Sequence, residues 1–101
     1  AVVGARAVAV RMLANLKNSH ERRGDHARAL VVCDRLVDLT GAPEPRRDRG
    51  MHALALGALE AAAADLRAYL NGRPDARDTA TVTAALEDIQ KRRASVRPMM
   101  S

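Results

Sequence analysis

The sequence predicts an all-α fold in which helical hairpins stack side by side into an α-α superhelix. Two segments share their spacing: Gly24 and Gly57 are 33 positions apart, and an alanine, Ala29 or Ala62, follows each glycine five residues later. A fixed period of this size is typical of repeated helix-turn-helix units, which usually hold partners. The composition agrees, because Ala, Leu and Arg are abundant and all three favour helices.

The bulk composition limits the class of protein. A length of 101 residues allows one small domain, and a chain without Phe or Trp needs a core of small aliphatic side chains. The formal net charge of +5 permits an acidic partner or a nucleic acid, although solubility explains it equally well. Cys33 is the only cysteine, so we expect no internal disulfide and a reducing, cytoplasmic location. No segment is long and apolar enough to span a membrane.

The first helix is expected from about Ala5 to Arg22, with one buried stripe. The residues of this stripe recur at spacings of three and four, as one face of a helix requires. They are Ala9, Met12, Leu13, Leu16 and His20. Gly24 can take the left-handed conformation that ends a helix, and Asp25 can cap the next one.

The second and third helices are expected over about 25–39 and from 43 or 44 to about 56. Proline and an acidic residue at Pro43 and Glu44 suit a first helical turn. In the second helix the expected inward residues are Ala29, Leu30, Cys33, Leu36 and Val37.

The fourth and fifth helices are expected over about 58–70 and from 78 or 79 to about 93. Gly57 forms the corner before the fourth helix, and the segment 71–75 is a strong stop after it. The expected inward residues of the fourth helix are Ala62, Leu66, Tyr69 and Leu70. A narrow apolar stripe of Val82, Leu86 and Ile89 is typical of an end-capping helix.

With corners and alanines placed, the spacing resembles the tetratricopeptide repeat. That pattern joins a turn glycine to a small residue seven positions before it. An alanine follows five positions after the glycine, a large residue nine after, an alanine-like residue twelve after and a proline seventeen after. The matching residues are Gly24, Ala29, Cys33 and Leu36 in the first copy, and Gly50, Gly57, Ala62, Leu66, Tyr69 and Pro74 in the second. Lys17, Gly41 and Arg46 depart from the pattern.

The resemblance implies a single domain over residues 1–94. Repeat one covers about 10–42, repeat two about 43–76 and the cap helix about 78–93, and residues 95–101 form a flexible tail. The chain does not begin with Met, and we expect it to be a piece of a longer protein.

A narrower resemblance is to the C-terminal repeat segment of bacterial transglutaminase-like proteins of the SirB type. It depends on the strings 11–18, 22–25 and 29–30 in the first copy, and on 47–50, 65–66 and 69–70 in the second. Those proteins carry a papain-like cysteine domain upstream, which nothing in this chain matches. The resemblance implies that this chain is the accessory part, which docks against that domain or against a partner.

The concave groove of such repeats is lined by the first helix of each pair. The candidate partner-binding residues are therefore residues of the first and third helices. These are Arg11, Asn15, Asn18 and Arg22 from the first helix, and Arg47, Asp48 and Met51 from the third. Arginine can clamp a carboxylate with two hydrogen bonds, and asparagine can both donate to and accept from a peptide backbone. A solvated helix face is the competing interpretation.

Catalytic, metal and cofactor sites are not predicted. His20, His26, His52 and Cys33 lack the paired spacing of a structural zinc site. We interpret His20 as a core histidine and Cys33 as a small buried hydrophobe. An enzyme that uses Cys33 and His20 is the least favoured alternative, because a packed hairpin offers neither a cleft nor an orienting third group.

The predicted function is therefore a non-enzymatic protein–protein scaffold. Two features near the ends of the chain bear on this prediction. The basic residues Lys91, Arg92, Arg93 and Arg97 keep open the alternative of a nucleic-acid-associated helical protein. Two repeats fall short of the roughly three that bury a continuous core. We therefore expect an apolar N-terminal edge near Val2, Val3, Val8 and Val10, which meets an upstream domain of the same polypeptide or a second copy in a homodimer.

Overall fold

Five α-helices make up the part of the chain that the computed structural model describes, which is the backbone of residues 2–96 and the side chains of residues 4–95. They are α1 (Val2–Arg22), α2 (His26–Thr40), α3 (Pro43–Ala55), α4 (Leu59–Gly72) and α5 (Thr79–Val96). The predicted all-α superhelix is confirmed, and every helix begins and ends within three residues of its expected position.

Glycines make both predicted corners. Gly24 has a φ of 69° and Gly57 a φ of 82°, values that residues with a β-carbon rarely adopt. The Asp25 side chain accepts a hydrogen bond of 3.1 Å from the Arg28 backbone N–H, so it caps α2 as expected. These local signals turn the chain twice and set consecutive helices side by side.

The helices pack in chain order. The backbone of α2 lies against α1 and α3, and α3 lies against α2, α4 and α5. The main buried cluster belongs to α3, α4 and α5, and it consists of Ala53, Ala62, Ala63, Leu66, Tyr69, Val82, Ala85 and Ile89. The first hairpin buries a second set from α2, which is Ala29, Val32, Cys33, Leu36 and Val37.

The stripe predicted for α1 is only partly buried. Leu13 is half-buried, but Met12 is 66% exposed and Leu16 is 45% exposed, so the expectation that both point inward was wrong. The reason is that the α1 backbone approaches α2 and no other helix of the described chain. The apolar stripe of α1 is therefore wider than the surface that α2 covers.

The predicted apolar edge at the N-terminal end is described only in part. Val8 is 46% exposed and Val10 is half-buried, whereas the side chains of Val2 and Val3 lie outside the described residues.

At the C-terminal end, residues 95 and 96 belong to α5 and not to the expected tail. The Ser95 hydroxyl donates to the Arg92 carbonyl, which is compatible with continued helix. Residues 97–101 lie outside the described part.

Gly50 allows α3 and α4 to come into close contact. It is buried, and a β-carbon added there would lie 3.0 Å from the Asp65 β-carbon and 3.0 Å from two side-chain carbons of Leu66. The Asp65 β-carbon is fixed to the α4 backbone, so the two helices would have to separate to admit a methyl group.

We expect Gly50→Ala to lower the free energy of unfolding by about 1–2 kcal/mol, which is the cost of overpacking less the helix preference of alanine. Urea unfolding followed by circular dichroism measures it. Gly72→Ala is the matched control, because nothing lies within 4 Å of a β-carbon there, and its stability should stay equal or rise. Equal stabilities of the Gly50 variant and the wild type would contradict the close approach.

Candidate partner-binding surface

Four of the predicted groove residues share one side of α1, which we call the polar α1 face. Arg11, Asn15, Asn18 and Arg22 are spaced by four, three and four residues, and all are exposed. Within residues 4–95 no ion pair or side-chain hydrogen bond engages them. Lys17, on another side of α1, does bind Asp48. The polar α1 face therefore keeps its guanidinium and carboxamide groups available to a ligand.

The predicted groove residues on α3 are placed differently. Asp48 accepts hydrogen bonds from Lys17 Nζ at 2.8 Å and from Arg47 Nε at 3.0 Å. Met51 is half-buried and packs against the core cluster. Arg47, Asp48 and Met51 therefore contribute to contacts between helices, and the polar atoms of the first two are engaged inside the fold.

A hydrogen-bonded chain continues from Arg47 to the far end of the domain. Arg47 Nη1 donates to Asp78 at 2.9 Å, and the Tyr69 hydroxyl donates to the same carboxylate at 2.6 Å. The hydrogen bonds from Tyr69 and Arg47 hold the pKa of Asp78 below its usual value, and donation to Asp78 raises the pKa of Tyr69. The Arg47 guanidinium also lies 5.5 Å from the centre of the Tyr69 ring. These contacts join α3, α4 and the residue before α5.

Arg49 links three helices through its guanidinium. Its Nε and Nη2 atoms each donate to one oxygen of Asp65 on α4 at 2.8 Å, and its Nη1 donates to Asp34 on α2 at 2.6 Å. Asp65 is only 9% exposed, so its carboxylate depends on this two-pronged pairing. Sequence reasoning missed this site. The available signal was an acidic residue on the inward stripe of α4, beside Leu66.

Arg49→Met should lower the free energy of unfolding by about 3 kcal/mol, because it leaves the buried Asp65 carboxylate unpaired. This value is at the lower end for breaking a buried ion pair, since part of Arg49 is in contact with water. Urea unfolding followed by circular dichroism measures the change.

Arg67→Met is the matched control for Arg49→Met. Arg67 is exposed on the same helix as Asp65, and its replacement should change stability by less than about 0.5 kcal/mol. Similar losses in the two variants would show that the Asp65 pairing has no special role.

Two of the three histidines meet at the junction of the first three helices. His26 Nδ1 lies 3.0 Å from His52 Nδ1, and His52 Nε2 lies 2.7 Å from the Glu21 carboxylate. His20 is elsewhere: it is half-buried, and its Nδ1 has no hydrogen-bond partner within the described chain. Among the described residues, no group of three or more His, Cys, Asp or Glu side chains is arranged to hold a metal ion.

Cys33 is fully buried in α2. Burial, reinforced by the negative charge of Asp48, raises the pKa of its thiol to about 12. The thiolate is the nucleophilic form of cysteine, so the folded protein presents almost none of it at neutral pH.

In the native protein, Cys33 should therefore react with a disulfide reagent far more slowly than the same thiol in urea. Absorbance of the released thiolate at pH 7 measures the rate. The rate should follow the unfolding transition as urea is raised. Rapid reaction of the folded chain would contradict the burial of the thiol and would favour the alternative of an enzyme.

The basic C-terminal run is partly neutralised. Arg92 pairs with Asp88 at 3.0 Å, and Arg93 pairs with Glu60 of α4 at 2.7 Å. Lys91 is exposed, and Arg97 lies outside the described residues. Two of the cations that kept a nucleic-acid role open thus have acidic partners inside the domain.

Comparison with known proteins identifies the family. A tetratricopeptide-repeat family model matches residues 16–87, which run from the last third of α1 into α5. Searches among curated proteins and among solved structures gave no match. The narrower likeness to transglutaminase-like proteins of the SirB type stays a prediction. No helix within the described residues is long and apolar enough to cross a membrane. Tetratricopeptide repeats are generally non-catalytic modules that bind proteins, and this chain belongs to that family.

Proposed function

We propose that this domain is a non-enzymatic scaffold that holds a segment of a protein partner along the polar α1 face. The observation that carries this proposal is the contrast between two first helices. On α1 the polar groups of Arg11, Asn15, Asn18 and Arg22 are exposed, and no side chain among residues 4–95 engages them. On α3 the charged groups of Arg47 and Asp48 are consumed by internal hydrogen bonds.

The chemistry of the polar α1 face favours an extended acidic peptide. Asn15 and Asn18 offer donors and acceptors for a peptide backbone, and Arg11 and Arg22 offer paired donors for carboxylates. At 1.5 Å per residue, the two arginines lie about 16 Å apart along the helix, which is the length of roughly five residues of extended chain. One arginine at each end would therefore fix both ends of such a segment.

In this proposal Arg47, Asp48 and Met51 complete the groove as its wall. The 2.8 Å contact from Lys17 to Asp48 holds α3 beside α1, so the α3 residues form the side of the groove. The partner then meets exposed groups on α1 first and half-buried groups on α3 second.

The wider setting that we propose is the accessory, C-terminal part of a bacterial transglutaminase-like protein in the cytoplasm. Its support is the likeness of the strings 11–18 and 47–50 to proteins of the SirB type, together with the presence of a single, buried cysteine. Calorimetric titration with the cysteine domain of such a protein tests it. Saturable heat supports the proposal, and the absence of heat at high concentration overturns it.

The polar α1 face is tested with peptides selected from a displayed random library on the wild-type chain. We expect selected peptides to be rich in Asp and Glu and to lose at least about tenfold in affinity for an Asn18→Ala, Arg22→Ala double variant. Fluorescence anisotropy of labelled peptides measures the affinity.

Arg35→Ala combined with Arg67→Ala is the matched control, because both arginines are exposed on the second helices of the pairs. It removes two positive charges from other faces, one more than the Asn18, Arg22 variant loses, so a larger loss of affinity in the Asn18, Arg22 variant cannot come from the overall charge. Equal losses in the two double variants, or selected peptides without acidic residues, would contradict the proposal.

A further inference from the structure

Three large apolar side chains form a continuous exposed edge on α1. Val8, Met12 and Leu16 are spaced by four residues, so they lie in one row along the helix. They are 46%, 66% and 45% exposed. We call this row the apolar α1 edge, and it is distinct from the polar α1 face because it occupies other positions of the helix turn.

The repeat register shows what kind of neighbour this edge lacks. Leu16 stands 33 residues before Arg49, the same interval that separates Gly24 from Gly57. In the second repeat, Arg49 is in contact with α2, the helix that precedes its own hairpin. In the first repeat, the α1 backbone approaches α2 only, and no earlier helix within the described chain takes the corresponding place. The apolar α1 edge is therefore exposed on the side where a preceding helix would pack.

The charges around the edge indicate the chemistry of its occupant. The exposed charged residues of α1 within the described side chains are Arg6, Arg11 and Arg22, all of them positive. Arg6 donates to the Leu39 carbonyl of α2, so Arg11 and Arg22 of the polar α1 face are the charges available beside the edge. The one acidic residue of α1, Glu21, is engaged by His52 and Lys17. The corresponding contact between α2 and α3 also pairs an acidic residue with an arginine, since Asp34 of α2 binds an arginine of α3. An occupant with acidic flanks would meet unpaired positive charge.

We propose that the apolar α1 edge binds an amphipathic helix of a protein partner whose apolar face is flanked by Asp or Glu. The helix packs on α1 as α2 packs on α3, with its apolar side chains over Met12 and its carboxylates toward the arginines of α1. As in other complexes of amphipathic helices, apolar residues at helical spacing would supply the anchors. It goes beyond the proposed function, since its anchor is the apolar row and its ligand is a helix, although the carboxylates of that ligand would meet Arg11 and Arg22 of the polar α1 face.

Two other occupants fit the charges and composition less well. A second copy of this chain, whose net charge is +5, would bring the arginines of two α1 helices together. A lipid surface is usually met by helices that carry Trp or Phe, and this chain has neither. An acidic protein helix satisfies both the apolar row and the positive rim.

The test uses two synthetic helical peptides as long as α2, 15 residues, with leucines at one face and a fluorescent label. One peptide carries Glu at every flanking position, and the other carries Lys at the same positions. We expect the Glu peptide to bind saturably and more weakly at high salt, and the Lys peptide to bind at least about tenfold more weakly. Fluorescence anisotropy with the full chain measures both affinities.

Met12→Asp tests the edge itself and should lower the affinity for the Glu peptide at least about tenfold, because it places a negative charge at the centre of the row. Val31→Asp is the matched control, since Val31 is 58% exposed on α2 and lies outside the edge. Both substitutions are at exposed positions, and circular dichroism verifies that each variant folds. Asn15→Ala with Asn18→Ala alters the polar α1 face alone and should leave the Glu peptide bound.

The remaining outcomes overturn the proposal. Equal binding of the two peptides, no binding of either, or no effect of Met12→Asp would each exclude an acidic helix at this edge. Light scattering that shows a dimer, dissociated by Met12→Asp in a chain that binds neither peptide, would assign the edge to a second copy. Met12-dependent binding to phosphatidylserine vesicles in such a chain would assign it to a lipid surface.

Discussion

The placement of α3 depends on the Arg49 guanidinium, which is held between Asp34 of α2 and Asp65 of α4. Helix α3 carries few large apolar residues, so the burial of apolar area alone stabilises its packing only weakly. Paired charges orient it, and Gly50 lets α4 come close enough for the pairing to form. Because α2, α4 and α5 all lie against α3, the geometry of the whole stack follows from how this one polar helix is fixed.

Sequence reasoning succeeded where structure is decided locally or by neighbours on both sides. Gly24 and Gly57 mark corners because a positive φ is a property of the residue itself. Cys33 and Leu66 were placed inside correctly, since they lie on helices with neighbours on more than one side. Met12 was misplaced because periodicity identifies an apolar face, whereas burial also needs a second element to cover it.

The candidate site was visible in the sequence only in part. A row such as Arg11, Asn15 and Asn18 can be read from helical spacing. The engagement of Asp48 by Lys17 and of Asp78 by Arg47 cannot, because each pair is separated by 31 positions and forms only when two helices lie side by side. That separation is close to the repeat interval, so the ion pairs join equivalent helices of consecutive units. In repeat proteins, charged residues about one period apart are therefore candidates for internal pairing before they are candidates for ligand binding.

The attachment of α1 to the rest of the domain has a thermodynamic consequence. Among the described helices its backbone contacts α2 alone, whereas α3, α4 and α5 share one buried cluster. In a linear stack each unit is stabilised by its neighbours, so the first described helix, whose backbone lies against α2 alone and which touches α3 through the Lys17 and Glu21 side chains, opens at the lowest free energy. Amide hydrogens of α1 will exchange with solvent before those of α4. A ligand that engages α1 therefore orders the loosest part of the molecule, and some of its binding energy is spent on closing a helix that the free protein lets open.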